Sequence, residues 1–345
     1  MRVDRRTLLY RAGLASAGLL LGGVVATQRF DGRRRSPAAP ALARGPLQAI
    51  DLPGMPAYIT PTDRFYTVSK NVFGDPNIDA SRWRLRVTGA VQRPLELDLE
   101  ALRALPSVTQ VQTLECIDNQ VGGDLISNAE WRGARLADVL QQAGLREGVQ
   151  RIVFQCDDDY SDSIPLDKAL EPTTLLAYEM NGQPLPRAHG FPLRVLAPNL
   201  YGIKNPKWVV EIRAVTEDYR GFWQRRGWTN DGTIHTMSRI DVPASRAVVP
   251  AAPQPVGGIA FAGARGIQGV EISGDDGQTW QPASLVTEPA SLAWVFWVAQ
   301  WTPQGSTPSL VVRAIDGTGA LQTAEVRPPL PDGATGYHRV SVRLG

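Results

Sequence analysis

The chain has 345 residues, more than one ordinary single-core domain needs, so two domains are expected. The first 43 residues hold eight Arg against two Asp, a net charge of +6, and the total of +2 therefore leaves −4 on the rest. This mildly acidic body argues against nucleic-acid binding, and a content of only two cysteines excludes a scaffold held by many disulfides.

The first 43 residues have the pattern of an export signal. Arg5-Arg6 precedes an apolar run over residues 12–26, which is short beside the roughly 20 residues that span a membrane. Ala41-Leu42-Ala43 is a small-residue cleavage site. The pattern predicts a twin-arginine signal peptide over residues 1–43 and a periplasmic or other extracytoplasmic location. Membrane anchoring by an uncleaved N-terminus is the alternative.

Residues 44–57 are predicted to be a linker, and strand-like and helix-like segments alternate over residues 58–245. This alternation predicts an α+β domain with mixed sheets. Asp98 is placed to cap one helix, and Gly144 to end another. The predicted strands are residues 83–88, 108–116, 150–155, 175–178, 193–197 and 208–214, and the predicted helices are 98–105 and 134–143.

The pattern changes after a proline-rich stretch between Pro243 and Pro255. Short strands separated by turn residues, without a convincing helix, predict an immunoglobulin-like β-sandwich over residues 250–345. The predicted strands are residues 269–272, 278–280, 293–301, 309–315 and 337–344, with a turn at 274–277.

Familiar catalytic motifs are missing from the sequence. It contains no phosphate-binding glycine loop, no nucleophile elbow, no zinc-type cysteine pairs and no haem-attachment motif, so no haem is expected in this chain. Three histidines make a multi-histidine metal site improbable.

Cys116 is the first candidate for chemistry. It follows a predicted strand and precedes Gly122-Gly123, which would let the backbone approach a ligand closely. A thiolate is a soft metal ligand. A lone cysteine is more often part of the core, and a Cys116–Cys156 disulfide would prevent metal binding, so both alternatives stay open.

A second candidate cluster extends from His189 to Arg194 and from Tyr201 to Trp208. It gathers a His, an Arg and two Lys in loops rich in Gly and Pro. Such donors suit a phosphate and a polar heterocycle, although a solvated loop surface would have the same composition.

Five segments in this order resemble the molybdopterin-binding domain of the sulfite oxidase family. They are residues 113–124 around Cys116, Trp131–Leu136, Ala177–Pro186, His189–Arg194 and Gly202–Trp208. Residues 274–280 and 312–317 resemble the C-terminal domain of that family, which dimerises in several members. The resemblance implies a bacterial, exported enzyme with a sulfite-oxidase-type domain followed by the β-sandwich.

The resemblance also implies a site that holds molybdenum–molybdopterin (Mo-MPT). Cys116 would be the protein ligand of the metal. Asp158 matches an acid that contacts the cofactor, although Asp157 and Asp159 flank it. The residues implied to bind the cofactor are Asn71, Cys116, Asp158, His189, Arg194, Lys204, Asn205 and Lys207.

Two positions depart from the family pattern near the expected substrate. Lys70 stands where sulfite oxidases carry an Arg. A lysine lacks the planar guanidinium group that binds an oxyanion through two parallel hydrogen bonds. Trp228, after Trp223-Gln-Arg-Arg, stands where the family has an active-site Tyr. Cys116, Lys70 and Trp228 are therefore the predicted catalytic residues, and both departures call sulfite itself into question.

The implied function is a molybdenum-dependent oxygen-atom transfer on a small polar or anionic substrate. Electrons would pass to or from an external carrier such as a periplasmic cytochrome c, and the C-terminal domain allows a homodimer. Two alternatives stay open: an S-oxide or N-oxide reductase with the same cofactor, and a non-catalytic exported binding protein.

Overall fold

The computed structural model describes residues 52–286 and 292–345. The predicted signal peptide over residues 1–43 and most of the predicted linker lie outside the described residues. Within the described residues, no helix has the length and apolar character needed to cross a membrane.

Two sheets and three short helices form the first part of the chain. In chain order the elements are β1 (Leu85–Gly89), β2 (Leu95–Leu97), α1 (Leu99–Ala104), β3 (Ser107–Glu115), β4 (Ile126–Arg135), α2 (Leu136–Ala143), β5 (Arg151–Cys156), β6 (Ser161–Pro165), α3 (Leu166–Leu170), β7 (Leu175–Met180), β8 (Gln183–Pro184), β9 (Arg194–Leu196) and β10 (Val209–Val215). One sheet has the order β2-β1-β10-β5-β6, and the other has β3-β4-β7-β8 with β9 paired to β7. Since β1 and β10 are parallel while β10 and β5 are antiparallel, the predicted α+β class with mixed sheets is confirmed.

Both predicted helices are present with small shifts. The Asp98 carboxylate accepts a hydrogen bond from the Ala101 N–H at 2.8 Å, so the predicted N-cap of α1 is confirmed. Helix α2 begins at Leu136 rather than at residue 134, because Ala134 is a fully buried residue of β4 paired with β3 and β7. Gly144 ends α2 at a φ of 68°, as predicted.

The main core of this part lies between the first sheet, the helices and one face of the second sheet. It buries apolar side chains of β1, β5, β7, β9 and β10 together with those of α1 and α2. A smaller apolar cluster around Trp131 fills the other face of the second sheet, and its rim reaches the candidate site through Phe65 and Tyr66.

The second part of the chain is built from strands. They are β11 (Met237–Val242), β12 (Val248–Val249), β13 (Gln254–Phe261), β14 (Ile267–Ser273), β15 (Gln281–Leu285), β16 (Val295–Trp301), β17 (Ser309–Asp316), β18 (His338–Ser341) and β19 (Arg343–Leu344). Seven of them form a continuous path in the order β11-β13-β16-β15-β14-β17-β18, and β12 pairs with β19. Side chains from β13 and β16 pack against those from β14 and β17, as expected for the predicted sandwich.

Two expectations for this part need correction. Strand β11 falls inside the predicted 58–245 domain but pairs with β13, and Ile240 is buried in the sandwich core. The predicted strand 278–280 is instead the end of a turn, because the Asp275 carboxylate accepts hydrogen bonds from the N–H and hydroxyl of Thr279. The strand itself starts at Gln281.

Candidate metal and cofactor site

A cavity opens where the loops that follow β3, β5 and β10 meet the segments on both sides of β9. Eight of the ten predicted site residues line it. They are Lys70, Cys116, Asp158, His189, Arg194, Asn205, Lys207 and Trp228. Asn71 and Lys204 do not line it, and their positions are described below.

Cys116 is held at the cavity wall by the loop that joins β3 to β4. Its N–H donates to the Leu125 carbonyl at 2.9 Å, and its carbonyl accepts from the Asn119 N–H at 3.0 Å. Only 9% of the residue is exposed, and burial raises the pKa of the thiol to about 12. A cation bound at the sulfur would be needed to favour the thiolate at neutral pH.

The second cysteine does not belong to the site. Cys156 lies at the end of β5 in the core of the first sheet and does not line the cavity. Both cysteines are free, so the Cys116–Cys156 disulfide that would prevent a metal–thiolate bond is not formed.

Arg194 and Lys207 place two positive charges at one end of the cavity, the first buried and the second half-buried. Arg194 is 5% exposed and donates to the carbonyls of His189 and Asn205 at 3.2 and 3.3 Å, while its Nε has no hydrogen-bond partner. The Lys207 ammonium donates to the Ala188 carbonyl at 2.9 Å and lies 4.2 Å from the centre of the Trp208 ring.

These two charges are not neutralised by neighbouring acids. Within residues 52–286 and 292–345, neither side chain has a carboxylate within 4.0 Å. Burial lowers the pKa of Arg194 to about 10 and that of Lys207 to about 8. Burial, and then the charge of Arg194, lowers the pKa of His189 to about 4, so this imidazole is neutral at pH 7. Cations that are shielded from water and have no carboxylate partner favour an anionic ligand.

The predicted role of Lys204 in cofactor binding is not supported by its position. Its side chain is 1% exposed and turns away from the cavity, because its ammonium forms an ion pair of 2.8 Å with the buried Asp162. It also donates to the Ser163 carbonyl and the Asn230 side chain. Lys204 therefore stabilises the packing of Asp162, Ser163 and Asn230 behind the cavity wall.

Asn205 shapes the cavity through its backbone and not through a free amide. Its side-chain oxygen accepts from the Ala197 N–H at 2.7 Å, and its nitrogen donates to the carbonyls of Leu200 and Tyr201. The Asn205 carbonyl in turn accepts from Arg194. The residue thus orients the guanidinium rather than presenting a group of its own.

Lys70 lies at another part of the cavity wall and is paired with Asp158. Its ammonium is 3.5 Å from the Asp158 carboxylate, and it also donates to the Asp158 carbonyl and to the Asn71 side-chain oxygen. The Asn71 amide donates to the same carboxylate at 3.1 Å, so Asn71 braces the pair from outside the lining. Asp157 and Asp159 are exposed, and of the three acids only Asp158 lines the cavity.

Trp223 and Trp228 form an aromatic wall, carried by the segment that follows β10. The segment is fastened to β6, since the Phe222 N–H donates to the Ser161 carbonyl at 2.8 Å and the buried Gln224 amide donates to Asp162 at 3.1 Å. The 3-10 turn Gln224–Arg226 then brings Trp228 back, with its N–H 3.2 Å from the Trp223 carbonyl.

Several lining residues were not singled out by sequence reasoning. Tyr66 packs near both Cys116 and Arg194, and burial raises the pKa of its phenol well above 10. Tyr160 donates to the Ile203 carbonyl at 2.6 Å, and Asp118 follows Cys116 by two positions. Phe65-Tyr66 has the composition of ordinary core, so only its closeness to Lys70 in sequence could have signalled a role.

Comparisons with known proteins agree with this geometry. Residues 73–223 match the oxidoreductase molybdopterin binding domain, and residues 229–344 match the Mo-co oxidoreductase dimerisation domain. The chain is 33% identical over 345 residues to mitochondrial sulfite oxidase of Mus musculus, covering 85% of this chain and 63% of that protein. It thus spans less than two thirds of the length of the mouse protein.

Two further comparisons cover most of both chains. The chain is 31% identical over 356 residues to sulfite oxidase of Arabidopsis thaliana, covering 84% of this chain and 89% of that one. The crystal structure of the sulfane dehydrogenase SoxCD from Paracoccus pantotrophus has the same fold, with a TM-score of 0.74, 22% identity and coverage of 88% and 87%. The chain belongs to the sulfite oxidase family of molybdopterin-binding oxidoreductases.

Proposed function

We propose that this protein is a molybdenum-dependent oxidoreductase that transfers an oxygen atom to or from a small substrate. The observation that carries the proposal is the meeting, in one cavity, of the buried thiol of Cys116 with two cations, the buried Arg194 and the half-buried Lys207, that lack a carboxylate partner among the described residues. A soft sulfur ligand and an anion site together suit Mo-MPT, which presents both a metal and a phosphate.

Each residue of the site then has its own role. Cys116 would bind the metal, and Arg194 and Lys207 would hold the phosphate of the pterin. The neutral imidazole of His189 would hydrogen-bond the heterocycle without adding charge. When bound, the cofactor supplies two-electron oxygen-atom transfer, while the protein supplies binding, orientation and charge. Trp223 and Trp228 would exclude water from the substrate side.

The thiol proton links cofactor binding to pH. Because burial holds Cys116 protonated, formation of a metal–thiolate bond would release a proton. Cofactor binding would also neutralise the positive charges of Arg194 and Lys207. In the protein without cofactor these charges have no partner, and they lower its stability.

Export and electron transfer are parts of the same proposal. The Arg5-Arg6 pattern supports twin-arginine export of the folded enzyme to the periplasm. Electrons would pass to or from a separate carrier, such as a cytochrome c. The match to a dimerisation domain supports a homodimer.

Metal analysis tests the proposal directly. We expect molybdenum in stoichiometric amount in the purified protein, after expression with the cofactor available. Cys116→Ser should lose the metal or show an altered absorption spectrum. Cys156→Ser is the matched control, since this buried thiol lies outside the cavity, and it should keep the metal. A wild-type protein without molybdenum would reject the proposal in favour of a non-catalytic exported binding protein.

A reductase acting on an S-oxide or N-oxide is the second candidate. It is favoured by the Lys70–Asp158 pair, because a lysine whose charge is already compensated attracts an oxyanion weakly. Assays in both directions with artificial electron carriers separate the two functions. Oxidation of sulfur oxyanions would support the first, and reduction of neutral S-oxides or N-oxides with no oxyanion oxidation would support the second.

A further inference from the structure

The loop that carries Cys116 is closed by its own hydrogen bonds. Besides the bond between Cys116 and Leu125, the Leu125 N–H donates to the Asn119 side-chain oxygen at 3.0 Å. The Asn119 amide nitrogen donates to the Glu115 carboxylate at 3.0 Å, and the Gly123 N–H donates to the Gln120 carbonyl at 2.8 Å. These bonds set the shape of the loop, but they do not fix its position on the molecule.

The outer side of this loop rests on the C-terminal sandwich through Arg239. Its Nη1 donates to the Gly123 carbonyl at 2.8 Å, across 116 positions of sequence. The guanidinium is itself oriented by the Asp241 carboxylate, which accepts from Nε and Nη2, both at 2.8 Å. Only 9% of Arg239 is exposed.

Gly122 makes a second contact with the sandwich. A Cβ at this position would lie 2.2 Å from the His338 ring. Gly122 also has a φ of +75°, a backbone conformation that favours glycine. The His338 ring is fixed in turn, since its Nδ1 accepts from the Ile240 N–H at 3.0 Å. The loop backbone therefore packs directly on β11 and β18.

A third contact is apolar and adjoins the metal ligand in sequence. Ile117 is buried in a cluster that includes Ile259 and Phe261 of β13, and the cavity residues Trp223 and Trp228 pack on the same cluster. The residue after Cys116 is thus buried in a cluster shared by the two parts of the chain and not in the main core of its own domain.

We propose that Arg239 is a positioning residue for the metal site, which holds the Cys116 loop through the Gly123 carbonyl. The C-terminal sandwich is then a structural part of the site as well as a dimerisation module. The inference rests on the proposed function for the presence of a metal. The restraint on the loop, however, is a property of the protein before the cofactor is bound.

Cysteine alkylation of the cofactor-free protein tests this restraint. In the wild type, burial keeps the Cys116 thiol protonated and slow to react. Arg239→Gln should raise the alkylation rate of Cys116 about tenfold, because the loop loses the stabilising free energy of one hydrogen bond from a charged donor. Peptide mass spectrometry reads Cys116 and Cys156 separately, and Cys156 should not change.

Three further variants separate positioning from general packing. Arg239→Lys keeps a charged donor for the Gly123 carbonyl, so it should restore most of the protection. Asp241→Asn is a milder change that loosens the guanidinium, and it should give an intermediate rise if Arg239→Gln does not fold. Arg313→Gln is the matched control, because Arg313 forms an ion pair of 2.7 Å with Glu271 in the same sandwich, and it should leave Cys116 unchanged.

The inference fails if the ratio of Cys116 to Cys156 alkylation is the same in wild type, Arg239→Gln and Asp241→Asn. It also fails if Arg313→Gln raises the ratio equally, or if Arg239→Lys protects no better than Arg239→Gln. Hydrogen exchange of residues 117–125 should rise with the ratio. A wild-type protein without molybdenum would reject the proposed function but would not affect the alkylation test. If the wild type contains molybdenum and the variants have the same alkylation ratio as the wild type, only this inference is rejected.

Discussion

Lys204 and Lys207 lie three positions apart in one loop but have opposite environments. Lys204 is neutralised by Asp162 behind the cavity wall, and Lys207 lines the cavity with no carboxylate within 4.0 Å among the described residues. The sequence could not separate them, since the partner of Lys204 is 42 positions away in β6. Motif order placed both lysines in the right loop, and only tertiary packing shows which one faces the cofactor.

Replacing Lys204 by methionine should therefore lower the stability of the protein, whereas the same replacement of Lys207 should not. Lys204→Met leaves the Asp162 carboxylate buried and unpaired, which costs about 3–5 kcal/mol of unfolding free energy. Lys207→Met removes an uncompensated charge from the cofactor-free protein, so stability should stay equal or rise, while molybdenum content falls. Urea unfolding and metal analysis measure both effects. Loss of molybdenum without loss of stability in Lys204→Met would contradict its position behind the wall.

Anion binding at Lys207 should depend on pH. Burial lowers the pKa of this ammonium to about 8, so above that pH an anion must bind together with a proton. The affinity of the cofactor-free protein for sulfate, whose own charge is constant here, should fall by up to about tenfold per pH unit above pH 8. Lys207→Arg, which stays charged, should remove this dependence. Equal sulfate binding by wild type at pH 6.5 and pH 9.5, read by calorimetry, would rule out Lys207 as the anion contact.

At the scale of elements, local patterns predicted most strands but not their partners. The strand predicted at 108–116 is β3 at Ser107–Glu115, and the strand predicted at 309–315 is β17 at Ser309–Asp316. A half-buried strand should alternate buried and exposed residues, but the last four residues of β3 are all buried, so the location of this strand was predicted and its burial was not. The membership of β11 in the sandwich is set by pairing with β13, which no local pattern contains. The turn that replaces the predicted strand at 278–280 likewise depends on the Asp275 side chain.

The segment that carries Trp223 and Trp228 should be sensitive to one methyl group at Gly221. A Cβ there would lie 2.4 Å from the Ser161 carbonyl oxygen and 2.7 Å from the Asp162 Cα, so Gly221→Ala must push the segment away from β6. Because misplacement of a cavity wall by an ångström weakens transition-state contacts, kcat/KM should fall roughly ten- to a hundredfold with molybdenum retained.

Gly269→Ala is the control for this change. Its Cβ would meet its nearest neighbour, the Ile315 side chain, at an ordinary 3.7 Å, far from the cavity. Steady-state kinetics on both variants, beside metal analysis, should show a loss for Gly221→Ala alone. An unchanged kcat/KM in that variant would mean that the two tryptophans do not form the substrate wall.

At the scale of the whole molecule, three groups in the two parts of the chain have pKa values that burial shifts from their usual range. His189 lies at the cavity and His338 under the Cys116 loop, and burial lowers the pKa of each to about 4. Glu115 lies beside Cys116, and burial raises its pKa to about 7. Folding therefore keeps both imidazoles neutral and this carboxyl protonated near pH 6, which opposes the ordinary state of all three groups in the unfolded chain.

The stability of the cofactor-free protein should fall as the pH is lowered from 6 to 5. Each histidine binds a proton only when the chain unfolds, so each lowers the unfolding free energy by about 1.4 kcal/mol per pH unit in this window. Glu115 has the opposite sign, because it is protonated in the folded state and ionised in the unfolded one. Two losses against one gain leave a net fall of about 1.4 kcal/mol in the unfolding free energy.

In urea unfolding at the two pH values, Glu115→Gln should double this fall and His338→Asn should nearly abolish it. A wild-type protein equally stable at pH 6 and pH 5, with both variants behaving alike, would show that folding does not shift the pKa values of these three groups.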